Sequence, residues 1–316
     1  MLQQDEVQLS LKVNKVSWIL ALELAGLIIA GTFFLPGGSD LHNFYLPFAE
    51  GCLNCGFAPY FTQWVLAPLA WLPPGLAWPA LTTFTIGVLL LVSRYFTGTN
   101  PLWLLLAFST LSVLWLGQID ALIIVGLTLM VFGPNAWLRG AGLSLAIIKP
   151  QIAGLGVIVL LLHEKPCDLM KIAAAPVVVL LLSLWSFGLD WPLRWLGNAA
   201  QVPAHAHNLD VVDPLPYLLI PVLWFYRGRE NKFKAALWIS TMASPYFGLY
   251  SYVVPLTFGL QWWAVLLSYI WLLAYSLGNS FLRLAWVFPL TMLLYQYLKQ
   301  QREVKARTNP DCCKAA

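Results

Sequence analysis

The chain has 316 residues, 59% of them hydrophobic and only 10% charged, with 16 Trp, 17 Phe and 12 Tyr. No soluble core of this length needs so much apolar side chain, which argues against a water-soluble enzyme. The net charge of +4 sits in short clusters between apolar runs, a pattern that marks membrane topology and not nucleic-acid binding.

Residues 1–15 form a cytoplasmic N-terminal segment whose Asp5 and Glu6 speak against a cleaved leader. The first apolar run, 16–35, is therefore expected to stay as an anchor. Lys12 and Lys15 precede it. The later basic clusters are Arg94, Arg139, His163-Glu164-Lys165 with Lys171, 227–234 and 299–307, and all should face the cytoplasm. The first helix then delivers Gly37-Gly38-Ser39-Asp40-Leu41-His42 to the outer face. Its two glycines let the backbone turn sharply and are expected to leave room for a substrate. Cys52-Leu53-Asn54-Cys55 lacks a second pair, so it is a weak zinc signal, while an oxidising exterior permits a disulfide. The stretch 57–72, broken or bounded by Pro59, Pro68, Pro73 and Pro74, reads as an interfacial helix.

The run 76–92 crosses inward, and 101–116 crosses outward as one span, bringing Gly117-Gln118-Ile119-Asp120 near the level of Asp40. Arg139 and Glu164 both belong inside, yet only one span's worth of residues separates them. A re-entrant pair resolves the parity: 140–148 rises, Lys149-Pro150-Gln151 turns, and 152–162 descends. After the apolar run 172–189, the longest polar stretch, 185–214, holds Trp191, Arg194, Trp195, His205, His207, Asp210 and Asp213. Its aromatic and hydrogen-bonding groups suit a sugar ring and its Arg and His a phosphate, although the Trp residues equally suit interfacial anchoring. His205-Ala206-His207 is too short a pattern for a metal site. A second broken pair is expected over 235–259, with Ser244-Pro245-Tyr246 and Tyr250 at the turn. Crossings at 262–277 and 284–297 complete a membrane domain spanning 16–298, and 299–316, with Cys312-Cys313, is a cytoplasmic tail.

On this topology Asp40, His42, Asn43, Tyr45, Glu50, Gln118, Asp120, Lys149, Gln151, Arg194, His205, His207, Asp210, Asp213 and Tyr246 all face the outer side or breaks open to it. An ionisable group in so apolar a chain is a site hypothesis by default, and Asp40 leads the set. Lys149, between Ile147-Ile148 and Pro150, either snorkels to an interface or meets an anion such as a phosphate. Asp120 either caps a helix, or Gln118 and Asp120 together line an acceptor pocket or orient Asp40. Two carboxylates in a cavity can bind a divalent metal, but no ligand-spaced motif supports one.

The ordered landmarks carry a resemblance: Gly38-Ser39-Asp40-Leu41, Tyr60 with Pro68-Leu69, Gly117-Gln118, Ala141-Gly142-Leu143-Ser144-Leu145-Ala146-Ile147-Ile148-Lys149-Pro150, and Ser244-Pro245-Tyr246. From about residue 17 to 298 the chain resembles the GT-C superfamily of integral membrane glycosyltransferases, specifically glycosyltransferase family 87. The resemblance implies an all-α, polytopic transmembrane bundle that moves a sugar, often mannose, from a polyprenyl-phosphate donor to a lipid or glycan acceptor. It maps the catalytic base onto Asp40 and requires neither cofactor nor metal. The chemistry is coherent by itself: a carboxylate takes the acceptor hydroxyl proton as oxygen attacks the anomeric carbon, and the lipid phosphate leaves with added negative charge. Lys149 is the first candidate to meet that phosphate, and Arg194, His205 or His207 the second. His42, Tyr45, Gln118, Asp120 and Tyr246 complete the expected binding set. A transporter or lipid flippase, or a noncatalytic membrane scaffold, are the rival readings.

Overall fold

A computed structural model describes residues 15–200, 215–244, 248–278 and 284–308. Every regular element among them is helical. The helices are α1 Lys15–Gly31, α2 Leu46–Ala49, α3 Thr62–Ala70, α4 Pro74–Val92, α5 Pro101–Leu106, α6 Phe108–Leu116, α7 Asp120–Phe132 and α8 Ala136–Ala146. They continue with α9 Pro150–Leu161, α10 Pro166–Phe187, α11 Trp191–Ala200, α12 Arg229–Ala243, α13 Val253–Thr257, α14 Trp262–Ser268, α15 Ile270–Ser276 and α16 Val287–Thr308. Proline opens α4, α5, α9 and α10, where the missing N–H costs nothing, and Asn100 and Asn135 cap α5 and α8 through their side-chain oxygens.

Contacts between chain-distant residues give the helices alternating directions between two ends. At one end Arg94, in the π-helical turn after α4, lies over Trp18 of α1, and Asn100 bonds Ser17. At the other end Gly38, beyond α1, donates its N–H to Trp115 O of α6, and Trp78 of α4 donates to Leu114 O. Helix α7 returns to the first end, where Phe132 meets Phe96. We call the first the basic end and the second the Asp40 end.

Helices α8 and α9 form the expected rise and descent. Ala146 of α8 lies against Gly126 of α7, Lys149 reaches Asp120 at the Asp40 end, and Glu164 comes back to Arg139 at 3.2 Å and to Arg229 at 2.8 Å. With 11 and 12 residues, each leg is about 17–18 Å long. The second pair follows the same course. Helix α12 rises from Arg229, Tyr250 lies over Lys149, and α13 descends until Thr257 O accepts from Thr99 and Phe258 meets Phe233. The core lies where these two pairs meet α4, α6 and α7, and is filled by Trp238, Tyr252, Phe288, Leu104 and Leu105.

Three expectations need correction. The run 101–116 is not one continuous helix, because it breaks at Ala107, whose ψ is 136°. The run 262–277 likewise breaks at Tyr269. The two breaks face each other, and side chains at the second satisfy backbone groups freed at the first. Phe108 N–H donates to Ser268 Oγ at 2.9 Å, and the Tyr269 hydroxyl donates to Leu106 O at 2.9 Å. The last helix also runs beyond residue 298, through the expected tail to Thr308. Gln300 secures it, accepting from Arg227 N–H at 2.6 Å and donating to Phe225 O.

Among the described residues two segments, Gly75–Thr97 and Pro166–Phe187, are long and apolar enough to cross a membrane. The second buries only 11% of its apolar window inside the protein.

Candidate functional site

The site begins at a close crossing of two chain segments. Gly38 has φ of +72°, and a Cβ at Gly37 would lie 2.1 Å from the Trp78 indole. Gly117, which ends α6 at φ +72°, would press a Cβ to 2.8 Å from Leu41 Cβ and 3.2 Å from Gly38 Cα. Only glycine permits these positive-φ turns and this approach. The glycines therefore admit Trp78, not the substrate expected from the sequence. Their effect is to set Asp40, the residue before the π-helical turn Leu41–Tyr45, beside Gln118.

Gln118 is the junction. Its Nε2 donates to Asp40 Oδ2, while its Oε1 accepts from Lys149 Nζ at 2.7 Å and from the Tyr45 hydroxyl at 2.7 Å. An ammonium can only donate and an ionised carboxylate only accept, so the two partners fix which way the amide points. Lys149 in turn pairs with Asp120 Oδ2 at 2.6 Å, with side chains 8% and 0% exposed. The rings of Tyr250 and Tyr45 lie 5.2 and 5.9 Å from the ammonium, within range of cation–π attraction.

The anion that Lys149 meets is thus the protein's own Asp120. Asp120 does not lie at an outer surface; it is fully buried at the start of α7, and its Oδ1 has no hydrogen-bond partner among the described residues. Asp120 and Lys149 neutralise each other, and among the described residues Asp40 pairs with no cation. Asp40 is half-buried, and apart from Gln118 its carboxylate has only a long 3.3 Å contact from Ser39 Oγ. Among the described residues one carboxylate oxygen is held by the Gln118 amide and the other takes only the long Ser39 contact. That is an arrangement able to accept a proton.

His42 and Asn43 are exposed on the same turn, and Glu50 is exposed beyond it. Arg194 does not join the cluster. It is held by Asp190 at 3.0 Å and by Phe187 O at 2.6 Å, and lies over Tyr60, which Trp191 also stacks. His205, His207, Asp210, Asp213 and Tyr246 lie outside the described residues. Cys52 and Cys55 are joined by a disulfide in the loop between α2 and α3.

Two participants were missing from the expected site residues. Trp78 locks the glycine crossing, but its place in an apolar run gives no signal of that partner. Tyr250 stood at the predicted turn of 235–259, and that position was its signal.

Beside the cluster an apolar groove of about 1040 Å³ runs between α1, α6 and α14–α15. Leu27, Leu111, Trp115, Leu249 and Leu272 line it, and Trp78 and Tyr250 form the wall nearest the cluster. Compared with family models, with curated proteins and with solved structures, the chain matches none.

Proposed function

We propose that this chain is a polytopic membrane glycosyltransferase that transfers a sugar, a hexose such as mannose, from a polyprenyl-phosphate donor to an acceptor hydroxyl at the extracytoplasmic face. The observation that carries the reading is the fixed Gln118 amide, which aims Asp40, paired with no cation among the described residues, beside an apolar groove large enough for a lipid chain. The order of the glycosyltransferase family 87-like motifs supports it. So does α10, whose Val177, Val178, Leu180, Leu181 and Leu182 are exposed and want a hydrocarbon surrounding.

In this mechanism the Asp40 oxygen not held by Gln118 takes the acceptor's hydroxyl proton as that oxygen attacks the anomeric carbon. The bond from that carbon to the phosphate oxygen breaks, and the lipid phosphate departs with the electron pair. Attack opposite the leaving group inverts the anomeric configuration. The prenyl chain lies in the groove. Lys149 presents its ammonium toward Gln118 and Tyr250, so the Lys149–Asp120 pair acts as an oriented dipole near the developing phosphate charge.

The test is transfer from polyprenyl-phosphate sugars by the purified protein in lipid. Loss of the general base should lower the rate by about 10²–10⁴-fold in both Asp40→Ala and Asp40→Asn. Rates unchanged by either substitution would reject Asp40 as the base, and a product that retains the donor configuration would reject direct displacement. Movement of labelled lipid or solute across the bilayer without transfer would favour a transporter.

A further inference from the structure

At the basic end, far along the chain from Asp40 in both contributing segments, a second cavity of about 780 Å³ lies between α1 and the end of α4. This volume is within the range of roughly 300–1,000 Å³ typical of small-molecule sites. Lys15 and Arg94 line it together with the apolar Ile19, Leu22, Leu90 and Leu91. Among the described residues no acidic side chain lines it. Among the described residues neither Lys15 nor Arg94 pairs with a carboxylate, whereas Arg139, Arg229 and Lys234 all do. Arg94 is instead held 5.6 Å over the Trp18 ring, a stacking that fixes the guanidinium plane without consuming its N–H donors.

We propose that this cavity binds an anionic phospholipid, with the phosphodiester between Lys15 and Arg94 and an acyl chain along Ile19, Leu22, Leu90 and Leu91. Two such cations beside an apolar trough match a ligand that is negative at one end and hydrocarbon at the other. The Arg94 fork suits two oxygens of one phosphate. The site rests on the membrane reading of the chain but not on glycosyl transfer.

The test uses the full chain in detergent with phosphatidylglycerol, phosphatidylcholine or inorganic phosphate, scored by native mass spectrometry. Phosphatidylglycerol should be retained over phosphatidylcholine, and the Lys15→Gln, Arg94→Gln double variant should weaken retention by about 30-fold, the combined attraction of two basic side chains for an anionic lipid. Ile19→Trp, which fills the trough and keeps both cations, should also release the lipid. An unchanged thermal midpoint in phosphatidylcholine shows that each variant is folded. Equal retention of the two lipids, undiminished phosphatidylglycerol binding by the double variant, or displacement of the lipid by millimolar phosphate would overturn the assignment. Because binding is scored without transfer, a failure here differs from inactivity of the Asp40 site. A chain that stays soluble without detergent would instead refute the membrane reading itself.

Discussion

At the residue scale the central energetic object is the Lys149–Asp120 pair. Taking two charges out of water costs several kcal/mol per ion, and their attraction offsets this only with good geometry and further hydrogen bonds. Lys149 has both: a 2.6 Å contact to Asp120 and a 2.7 Å bond to Gln118. Removing one partner leaves the other charge buried and uncompensated. Lys149→Met and Asp120→Asn should therefore each destabilise the protein by about 3–5 kcal/mol, whereas the double substitution should recover most of the loss. Thermal unfolding of the four proteins in one detergent measures this cycle, and additive losses would show that the pair does not couple. The same substitutions bear on Asp40, since Gln118 without Lys149 loses one of the partners that hold its amide in place. Lys149 was legible in the sequence as a cation with no route to water, but which anion it meets was not. Asp120 lies 29 residues away, and only the pairing of α7 with α8 brings the two together. Arg194 could have been set aside from the sequence, because Asp190 stands four residues before it at helical ion-pair spacing.

At the element scale the breaks divide by cause. The one at Lys149 was readable because Pro150 follows: a residue before proline avoids the helical region, and Lys149 has φ of −128° and ψ of 77°. The breaks at Ala107 and Tyr269 have no proline or glycine at them. At Ala107 the freed backbone groups find partners in the Ser268 and Tyr269 side chains, a tertiary fact that periodicity does not encode. Ser268→Ala removes the acceptor for the buried Phe108 N–H and should cost about 1–3 kcal/mol, the penalty of an unsatisfied buried donor. Ser268→Thr keeps the hydroxyl and should retain more stability than Ser268→Ala. Chemical unfolding monitored by Trp fluorescence distinguishes them, and an Ala variant as stable as wild type would mean that the α5–α6 break does not depend on this bond. The α7–α8 hairpin has a different device. Gly126 and Gly142 face each other, and a Cβ on either would lie 2.5–2.7 Å from backbone atoms of the other helix. This closeness sets the distance between Asp120 and Lys149.

At the scale of the whole molecule the two ends differ in cysteine chemistry as well as charge. The Cys52–Cys55 disulfide follows the Asp40 turn, whereas Cys167 is free and exposed next to Asp168, which pairs with Arg139 at the basic end. Disulfides persist in oxidising compartments and free thiols in reducing ones. Basic clusters collect on the cytoplasmic side. On the proposed membrane reading both arguments favour the same orientation: Asp40 outside, Arg94 and Arg139 inside. The orientation is testable with a thiol reagent that cannot cross a bilayer, applied to cells carrying the chain with Cys312 and Cys313 changed to Ser. Cys167 should stay unlabelled until the membrane is permeabilised. A second thiol, introduced by Asn43→Cys on the exposed turn after Asp40, should react in intact cells, while Cys52 and Cys55, being joined, should not react in either state. Labelling of Cys167 but not of the residue-43 thiol would invert the molecule and place Asp40 on the side where a lipid-linked sugar donor is not required. Labelling of both in intact cells would show that the helices between them, α4 to α9, do not separate two compartments.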